Sequence, residues 1–549
     1  MNNFPGKNRQ IFHLQFYKIR FQSIINIYLL SGLKHTPMLI KTYGSAILGI
    51  DAITITVEVN IDAGINFFMV GLPDSAVKES QHRIIASFKN SGFNYPGKRI
   101  VINMAPADIK KEGSAYDLTI ALAILAASDQ LKEEALGKYI IMGELSLDGS
   151  LQPIKGALPI AIEAKKQGFK GFILPEENAK EAAIVNNLDV IGVTSLRQVV
   201  DFLNGDIQIE PVSVDTNEEF FIRLNEYEFD FEDVKGQENI KRALEIAASG
   251  GHNVIFIGPP GAGKTMLAKR LPSILPPLNL HEALETTKIH SVSGKLAKNS
   301  SLISVRPFRS PHHTISDVAL VGGGSFPQPG EISLAHNGVL FLDELPEFKR
   351  TVLEVLRQPV EDRVVTISRA KFTVEYPASF MLVAAMNPCP CGYYNHPEKE
   401  CVCGPGIVQK YLNKVSGPLL DRIDIHVEVT PVPFKELSKA QSSEKSEKVR
   451  ERVVAARLVQ EHRFREVPGV YCNAQMNTKL LQTYCHIGET GLTLLKNAME
   501  KLSLSARAYD RILKVARTIA DLDNSSEIQN HHLAEAIQYR SLDRENWAG

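Results

Sequence analysis

The sequence predicts a mixed α/β fold, because short apolar runs alternate along the chain with segments of helical pattern. Residues 254–257 and 339–342 are apolar without interruption, as is typical of parallel strands that are buried on both faces. Residues 52–60 alternate instead with a period of two, which predicts a strand with one buried face. Residues 117–127 have the length and apolar content of a buried helix.

The composition describes an ordinary soluble protein that can bury sizeable cores. The chain has 549 residues, which is too long for one compact core, so several domains are expected. The charged fraction of 22% is ordinary, and the net charge of −1 supports neither nucleic-acid nor membrane binding, although it does not exclude a local basic surface. No membrane association is expected. Four of the six cysteines lie in one short stretch, which indicates a metal site and a reducing compartment, and hence a cytoplasmic location.

Changes in pattern predict the domain boundaries. Up to Pro37 the chain carries basic but no acidic side chains, and its apolar run is too short to span a bilayer. A disordered segment, or a start of translation at Met38, is expected there. The predicted order is residues 1–37, disordered or not translated; 38–204, a mixed α/β domain; 205–230, an acidic linker; 231–435, an α/β core; and 436–549, a helical domain.

A glycine-rich loop follows the apolar strand at residues 254–257 and precedes a helix predicted to start at Met266. Its pattern is G-x-x-x-x-G-K-[ST], which in this strand-to-helix context is characteristic of a phosphate site. Glycines let backbone amides approach the phosphates, and the helix N-terminus adds its positive end. Lys264 is expected to contact the β- and γ-phosphates of ATP, and Thr265 to bind Mg²⁺. The predicted nucleotide-binding residues are Gly258, Pro259, Pro260, Gly261, Ala262, Gly263, Lys264 and Thr265.

Polar residues end two further apolar strands. Asp343 and Glu344 follow the run at 339–342, and ligands bind at the carboxyl ends of strands in open α/β sheets. Asp343 is expected to hold Mg²⁺ through water, and Glu344 to orient and deprotonate the attacking water. The alternative is that the two carboxylates cap the next helix. Asn387 ends the apolar run at 380–386 and is predicted to hydrogen-bond the water or the γ-phosphate.

Two longer stretches carry a family resemblance. Residues 306–348 (RPFRSPHHTISDVALVGGGSFPQPGEISLAHNGVLFLDELPEF) and 416–429 (SGPLLDRIDIHVEV) closely resemble the magnesium-chelatase-like AAA+ proteins of the YifB/ComM family, and the resemblance extends from Met38 to the C-terminus. It implies an N-terminal α/β domain of the Lon-protease-like, ribosomal S5 type. It also implies a P-loop AAA+ core with helicase-type hairpin insertions, a C-terminal helical lid, and self-association into a hexameric ring.

The resemblance assigns roles to three side chains. Asn387 matches the sensor-1 residue, and Arg507 matches the sensor-2 arginine of the lid. Arg422 matches the arginine finger that reaches the nucleotide of a neighbouring subunit. A guanidinium supplied in this way offsets phosphoryl charge and links hydrolysis to assembly through a head-to-tail interface. The alternative for Arg422 is an ordinary surface ion pair with Asp421 or Asp424.

Two insertions distinguish the chain from a minimal AAA+ core, at residues 309–330 and 363–376. The second is predicted to be a hairpin whose tip contains Arg369 and Lys371, and a basic tip suits contact with a phosphate backbone in a central pore. The chain also resembles the replicative helicase subgroup, in which such hairpins line the pore, so DNA is the expected partner. The alternative is an exposed hairpin that is charged for solubility.

The clustered cysteines form two C-x-C pairs a short loop apart, directly after Asn387. Four thiolates at this spacing could wrap a tetrahedral zinc ion with a structural role. The thiols are Cys389, Cys391, Cys401 and Cys403. His396 is an alternative ligand, and four reduced cysteines in a polar loop are the alternative to a metal site. His312 and His313 are adjacent on a predicted strand, where they would point to opposite faces, so they are not expected to share an ion.

The expected function is a ring-forming ATPase that threads or remodels DNA, and the resemblance implies branch migration during DNA uptake and recombination. One rival is a magnesium-chelatase-type motor subunit that acts on a protein partner. Another is an ATP-driven peptidase, because the N-terminal domain resembles the Lon proteolytic domain, whose chemistry needs a serine and a lysine. This chain has Ala115 at the serine's position and Leu158 at the lysine's, with Ser114 one residue away. The sequence identifies no partner for the N-terminal domain.

Overall fold

The computed structural model describes residues 39–223, 227–296, 301–324, 327–369, 372–394, 396, 398–432, 443–502 and 504–540. The segment predicted to be disordered or untranslated therefore lies outside the described residues, as does Lys371. Among the residues that are described, no helix combines the length and the apolar character required to cross a membrane.

Strands and helices alternate along the chain, which confirms the mixed α/β class. The strands are β1 (Ile40–Leu48), β2 (Asp51–Asp62), β3 (Phe67–Val70), β4 (Arg99–Ala105), β5 (Tyr139–Ile141), β6 (Glu144–Leu145), β7 (Leu151–Gln152), β8 (Gly171–Pro175), β9 (Asp189–Val193), β10 (Val254–Ile257), β11 (Phe308–Arg309), β12 (Gly322–Gly323), β13 (Gln328–Pro329), β14 (Val339–Leu342), β15 (Val364–Arg369), β16 (Phe372–Pro377), β17 (Met381–Met386) and β18 (Ile425–Glu428). The α-helices are α1 (Ser75–Lys78), α2 (Ser80–Asn90), α3 (Asp117–Ala127), α4 (Ala157–Lys166), α5 (Glu176–Ala182), α6 (Leu196–Asn204), α7 (Thr216–Arg223), α8 (Glu238–Gly250), α9 (Lys264–Ile274), α10 (Leu280–Ser293), α11 (Asp317–Val321), α12 (Glu331–Leu334), α13 (Arg350–Val355), α14 (Arg357–Asp362), α15 (Pro405–Leu412), α16 (Gly417–Leu420), α17 (Ser446–Phe464), α18 (Thr478–Tyr484), α19 (Glu489–Lys501), α20 (Ala506–Leu522) and α21 (Asn530–Gln538).

The chain forms two compact units, and the first comprises the described residues up to 44 together with 55–152 and 193–209. Its strands follow the order β3-β4-β2-β1-β5 in one sheet, with β2 antiparallel to β4 and β3 parallel to it. Helix α3 is buried along nearly its whole length, as its apolar content predicts. Asp117 at its start is buried and accepts hydrogen bonds of 2.6 and 2.9 Å from the Arg83 guanidinium, which compensates for burying the carboxylate.

The second unit comprises residues 45–54, 153–192 and 210–549. Residues 153–192 join this unit partly through Glu181, whose buried carboxylate accepts a hydrogen bond from the Ser291 hydroxyl. Helix α7 lies within the stretch predicted as a linker, and its Phe220 is buried. No helical period is evident in the sequence there, because the helix is short. The two compact units group residues that contact one another and do not test the predicted domain boundaries, which stay predictions.

A parallel sheet of five strands, in the order β11-β14-β17-β10-β18, lies at the centre of the second unit. Strand β10 is flanked on both sides, and the register pairs Val254 with Val383 of β17 and with Ile425 of β18. Successive residues of β10 point to opposite faces, so Phe256 enters the core on one face and Ile255 the core on the other. This is why the run is apolar without alternation.

The two predicted insertions have defined secondary structure. The first contains α11 and a short antiparallel pair formed by β12 and β13. The second is the antiparallel hairpin of β15 and β16, whose register runs from Val364 paired with Pro377 to Arg369 paired with Phe372. The prediction of a hairpin in this part of the chain is thus confirmed.

The C-terminal part of the second unit is helical, as predicted. Helices α17 and α20 both pack against α8. The helical spacing of Ile512, Val515, Ala516 and Ile519 puts them on one face of α20, and all four are buried.

Candidate active site

The carboxyl ends of three neighbouring strands carry the polar segments singled out in the sequence. In the central sheet β14 lies beside β17 and β17 beside β10, and the three strands are parallel. Their carboxyl ends therefore share one edge, where Asp343, Asn387 and Gly258 follow the last strand residues. The sheet brings the glycine-rich loop, the two carboxylates and the amide to one place.

Lys264 is the first residue of α9, and its side chain is buried. Nζ donates hydrogen bonds to the carbonyl oxygens of Gly258 and Pro259 at 2.7 and 2.9 Å and to Oδ1 of Asn387 at 2.9 Å. Burial holds the pKa of Lys264 below its ordinary value, and the carboxylates of Asp343 and Glu344 offset this only in part. Because its hydrogen-bond partners are neutral oxygens, the ammonium keeps its charge available for an anionic ligand.

Glycines shape the loop that precedes α9. Gly261 and Gly263 have φ angles of +79° and +90°, a region that favours glycine. A Cβ on Gly258 would lie 2.1 Å from the carbonyl oxygen of Val429, so this position cannot hold a side chain without a shift of backbone. The loop leads directly into the N-terminus of α9, an arrangement that fits a phosphate group. Of its remaining residues, Pro260 is exposed and Ala262 is buried.

Thr265 and Asp343 supply oxygen atoms beside this loop. Oγ1 of Thr265 donates a hydrogen bond to Oδ2 of Asp343 at 2.6 Å. The backbone N–H of Glu344 donates to Oδ1 of Asp343 at 2.9 Å. Hydroxyl and carboxylate oxygens are the hard ligands that Mg²⁺ prefers, usually together with phosphate oxygens. The residues present therefore fit a magnesium ion that is bound with a nucleotide.

Glu344 is exposed and has a left-handed backbone, with φ at +52°. Its side chain makes no capping hydrogen bond to the short helical turn Leu345–Glu347, so the alternative of capping carboxylates is wrong for this residue. Oε2 of Glu344 instead lies 3.3 Å from Nδ1 of His313. Non-glycine residues in this backbone region cost energy and cluster at functional sites.

The sequence did not predict this contact of His313, and the placement of His312 and His313 on a strand is wrong. Strand β11 ends at Arg309, and the two histidines follow it in a loop. Their rings do not face opposite sides but lie close together, with centroids 4.1 Å apart. Within the described part of the chain, neither belongs to a group that could hold a metal ion.

The two arginines given roles by the family resemblance contact acidic residues of their own chain. Arg422 is buried, and its guanidinium donates a hydrogen bond of 2.8 Å to Glu361. The predicted alternative partners of Arg422 are therefore wrong. Asp421 pairs instead with Arg507 at 3.8 Å, in a contact where the arginine side chain is 58% exposed.

The four thiols of the cysteine cluster lie close together. The sulfur atoms of Cys389 and Cys391 are 3.3 Å apart, and that of Cys401 lies 3.7 and 3.5 Å from them. With Cys403 they form a group whose sulfur atoms all lie within 4.8 Å of one another, and this group could hold a metal ion. His396 is not part of the group, and its Nδ1 accepts hydrogen bonds from the backbone N–H groups of Glu398 and Lys399.

The first pair of cysteines is packed against the glycine-rich loop. Gly392 closes the turn after this pair by donating its N–H to the carbonyl of Cys389 at 3.0 Å. A Cβ on Gly392 would lie 2.4 Å from Cδ of Pro260, so the two backbones approach closely. The cysteine cluster and the glycine-rich loop are therefore neighbours, although they are far apart in the sequence.

The positions considered for the serine–lysine pair of peptidase chemistry hold Ala115 and Leu158 instead. The hydroxyl of Ser114 donates to the Glu144 carboxylate. Lys111 is fully buried, and its ammonium donates to the carbonyl of Pro106. These contacts engage Ser114 with an acid and Lys111 with the backbone, and they give the peptidase rival no support.

Sequence-family models of a magnesium chelatase subunit match most of the chain. The model described as magnesium chelatase, subunit ChlI, matches residues 230–437, that of subunit ChlI of Mg-chelatase matches 57–178, and that of the ChlI C-terminal region matches 443–540. The competence protein ComM of Haemophilus influenzae is 44% identical over 506 residues, which cover 91% of this chain and 97% of ComM. YifB of Escherichia coli is 45% identical over 502 residues, which cover 91% and 96%. The magnesium-chelatase 38 kDa subunit of Rhodobacter capsulatus is 25% identical over 179 residues, which cover 29% of this chain and 50% of that protein.

Proposed function

Because this chain belongs to the ComM and YifB family of magnesium-chelatase-like AAA+ proteins, we propose that it is a ring-forming ATPase that couples hydrolysis to translocation along DNA or to its remodelling. Membership of the family supports the ATPase itself. One observation carries the assignment of the site: Lys264 is hydrogen-bonded to Asn387, and Thr265 to Asp343, where parallel strands end side by side.

Each residue of the site has a distinct task in the proposed reaction. Bound Mg²⁺ supplies positive charge that neutralises the phosphate oxygens. Thr265 and Asp343 would hold that ion, and the Lys264 ammonium would bind the β- and γ-phosphates. The Glu344 carboxylate accepts a proton from the attacking water, and the Asn387 amide orients that water. Glycine-loop amides and the N-terminus of α9 bind the phosphate chain.

Arg422 and Arg507 complete the site in the proposed ring. For Arg422 to reach a neighbouring subunit's nucleotide, its guanidinium must exchange the Glu361 carboxylate for phosphate oxygens. Among the described residues its Nε is buried without a hydrogen-bond acceptor, so the pair with Glu361 leaves this guanidinium incompletely satisfied. Arg507 is mostly exposed and only loosely paired with Asp421, so it is free to turn toward a nucleotide.

The hairpin of β15 and β16 is the proposed contact with DNA. Arg369 is the last residue of β15, and Lys371, predicted from the sequence to lie at the hairpin tip, is outside the described residues. Two cations at a hairpin tip suit the phosphate backbone of a strand that passes through a ring. The ComM relative is named a competence protein, which supports a role in DNA uptake. We propose that this chain drives branch migration of the incoming DNA strand during that process.

We also propose that the cysteine cluster holds one structural zinc ion. Four thiolates and a closed, protein-only ligand set are the features of structural zinc sites. Metal analysis of the purified protein should give one zinc per chain. Absence of metal, with four titratable thiols, would leave the alternative of reduced cysteines.

ATP turnover with and without DNA tests the proposal. Purified protein should hydrolyse ATP faster with single-stranded or forked DNA, and Lys264→Ala should abolish turnover in both conditions. DNA binding should weaken as salt rises, since phosphate contacts release counterions. Turnover that no nucleic acid changes, with no salt-sensitive DNA binding, would refute the DNA role and favour a motor subunit that acts on a protein partner.

A further inference from the structure

The cysteine cluster lies directly beyond the strand that ends at the proposed nucleotide site. Cys389 is two residues after Asn387, whose Oδ1 accepts the hydrogen bond of 2.9 Å from Nζ of Lys264. Cys389 is fully buried and packs against Val408 of α15. A shift of this buried thiol would therefore move Asn387, because only Pro388 separates the two residues.

Two further contacts join the cysteine cluster to the same site. A Cβ on Gly392, which directly follows the first cysteine pair, would lie 2.4 Å from Cδ of Pro260 in the glycine-rich loop. Helix α15 begins just after the second pair, and the hydroxyl of its buried Tyr411 is hydrogen-bonded to the backbone of Asn387. The cluster is thus connected to the loop that would bind phosphate and, through α15, to the residue that holds the lysine.

The segment between β17 and α15 carries the four thiols and, among its described residues, contains no helix or strand. Val402, between the two cysteines of the second pair, is 85% exposed, so burial of this side chain does not hold that pair in place. The four sulfur atoms nevertheless lie within 4.8 Å of one another, which brings the two pairs together across the segment. A soft metal ion bound to all four thiolates would close this loop and stabilise it.

We propose that the cysteine cluster, with zinc bound, positions the ATP site, so that tight binding of nucleotide requires the metal. This inference rests on the proposed function, because it takes the glycine-rich loop as the nucleotide site and the four thiols as a zinc site. With all four thiolates on one ion, Cys389 is fixed, and Asn387 keeps the Lys264 ammonium in place for phosphate. Gly392 then also supports Pro260 of the loop. Without the metal the two cysteine pairs separate, and both supports are lost.

The test measures the affinity of the full chain for a fluorescent ATP analogue at constant Mg²⁺, before and after zinc is removed and again after it is restored. A chelator with only nitrogen donors removes zinc and leaves Mg²⁺, which prefers oxygen ligands. Removal of zinc should weaken binding about tenfold, the loss expected for one charge-assisted hydrogen bond to phosphate. Restored zinc should return the affinity to its first value. Far-ultraviolet circular dichroism should stay unchanged throughout, since the described part of the segment that carries the thiols has no helix.

A pair of glycine variants separates positioning from folding, because both keep all four thiols. In Gly392→Ala the new Cβ would lie 2.4 Å from Cδ of Pro260, so the variant should retain zinc but bind the analogue about tenfold more weakly. Gly404→Ala, directly after Cys403, has open space at its Cβ and is the matched control. It should match the wild type in both zinc content and affinity.

The other outcomes separate this inference from the proposed function. Unchanged affinity after zinc has been removed, or a zinc-containing Gly392→Ala protein that binds like the wild type, would overturn the positioning role and leave the ATPase intact. A wild type that takes up no zinc would overturn the inference and the zinc site, but not the ATPase. Zinc-loaded wild type that binds no nucleotide would overturn the proposed ATP site and the inference with it.

Discussion

Replacing Asp424 by Asn should destabilise the second unit far more than the same change at Asp421. The Asp424 side chain is 1% exposed and lies 3.1 Å from Nη1 of Arg511 in α20 and 3.4 Å from Nδ1 of His252. It also accepts a hydrogen bond of 3.0 Å from the backbone N–H of Asn253. The carboxylate therefore connects the start of β18 to the start of β10 and to helix α20.

The structure sets the size of the effect. Removing one member of a buried ion pair costs about 3–5 kcal/mol, because the other charge stays buried without a partner. Asn can keep the hydrogen bond from Asn253, so Asp424→Asn should lower the free energy of unfolding by about 3 kcal/mol, the lower end of that range. Asp421→Asn breaks only the exposed, 3.8 Å contact with Arg507 and should cost less than about 1 kcal/mol.

Urea titration followed by far-ultraviolet circular dichroism measures both variants against the wild type. A free energy of unfolding for Asp424→Asn within 1 kcal/mol (roughly the upper bound for an exposed pair) of the Asp421→Asn value would refute the reasoning. In that case the buried ion pairs would only offset the cost of burying the charges, and burial would not distinguish the two aspartates.

The comparison of the wild type with Asp424→Asn also gives a prediction about pH. Burial raises the pKa of Asp424, but the charges of Arg511 and His252 outweigh it and hold the pKa well below its ordinary value. A carboxyl with a lowered folded pKa stabilises the protein above its unfolded pKa of about 3.9, and that stabilisation is lost as the pH falls further. The stability gap between wild type and Asp424→Asn should stay constant from neutral pH to about 4 and narrow below it. A gap that persists at lower pH would show that ionisation of Asp424 is not its source.

Two further substitutions test the loop and the cysteine cluster. Gly258→Ala should weaken binding of a fluorescent ATP analogue at least about tenfold, because its Cβ would lie 2.1 Å from the Val429 carbonyl oxygen, whereas Gly488→Ala, with open space at that position, should bind like the wild type. Equal affinities would mean that the loop adjusts without cost. Cys389→Ala should lower the metal content measured by mass spectrometry to less than half of the wild-type value, while Cys472→Ala, outside the cluster, should leave it unchanged. Loss of metal in both variants would point to general misfolding.

The core of the site was predictable because its signals are local. The residues around Lys264 form one continuous motif, and Asp343 and Asn387 each end an apolar strand. Parallel strands bring such ends together whatever lies between them in the chain. Local patterns of apolar residues likewise predicted the mixed α/β class and the hairpin of β15 and β16.

The unpredicted features depend on contacts between distant residues. Glu344 meets His313, and Arg422 meets Glu361, through packing that leaves no period or motif in the sequence. The close approach of Gly392 to the glycine-rich loop is of the same kind. Helix α7 was missed for another reason: it is too short for an apolar period to emerge.

The position of β10 in its sheet has a consequence for how the protein folds as it is synthesised. Asn253, which directly precedes β10, is hydrogen-bonded to Leu382 and Asp424, 129 and 171 residues further along the chain. The strand that leads into the glycine-rich loop therefore gains its second flanking strand only after the ribosome has passed β18. Closing such long loops costs chain entropy and slows folding, and meanwhile an apolar strand is exposed to aggregation. The proposed nucleotide-binding segment is therefore synthesised well before it acquires its structure.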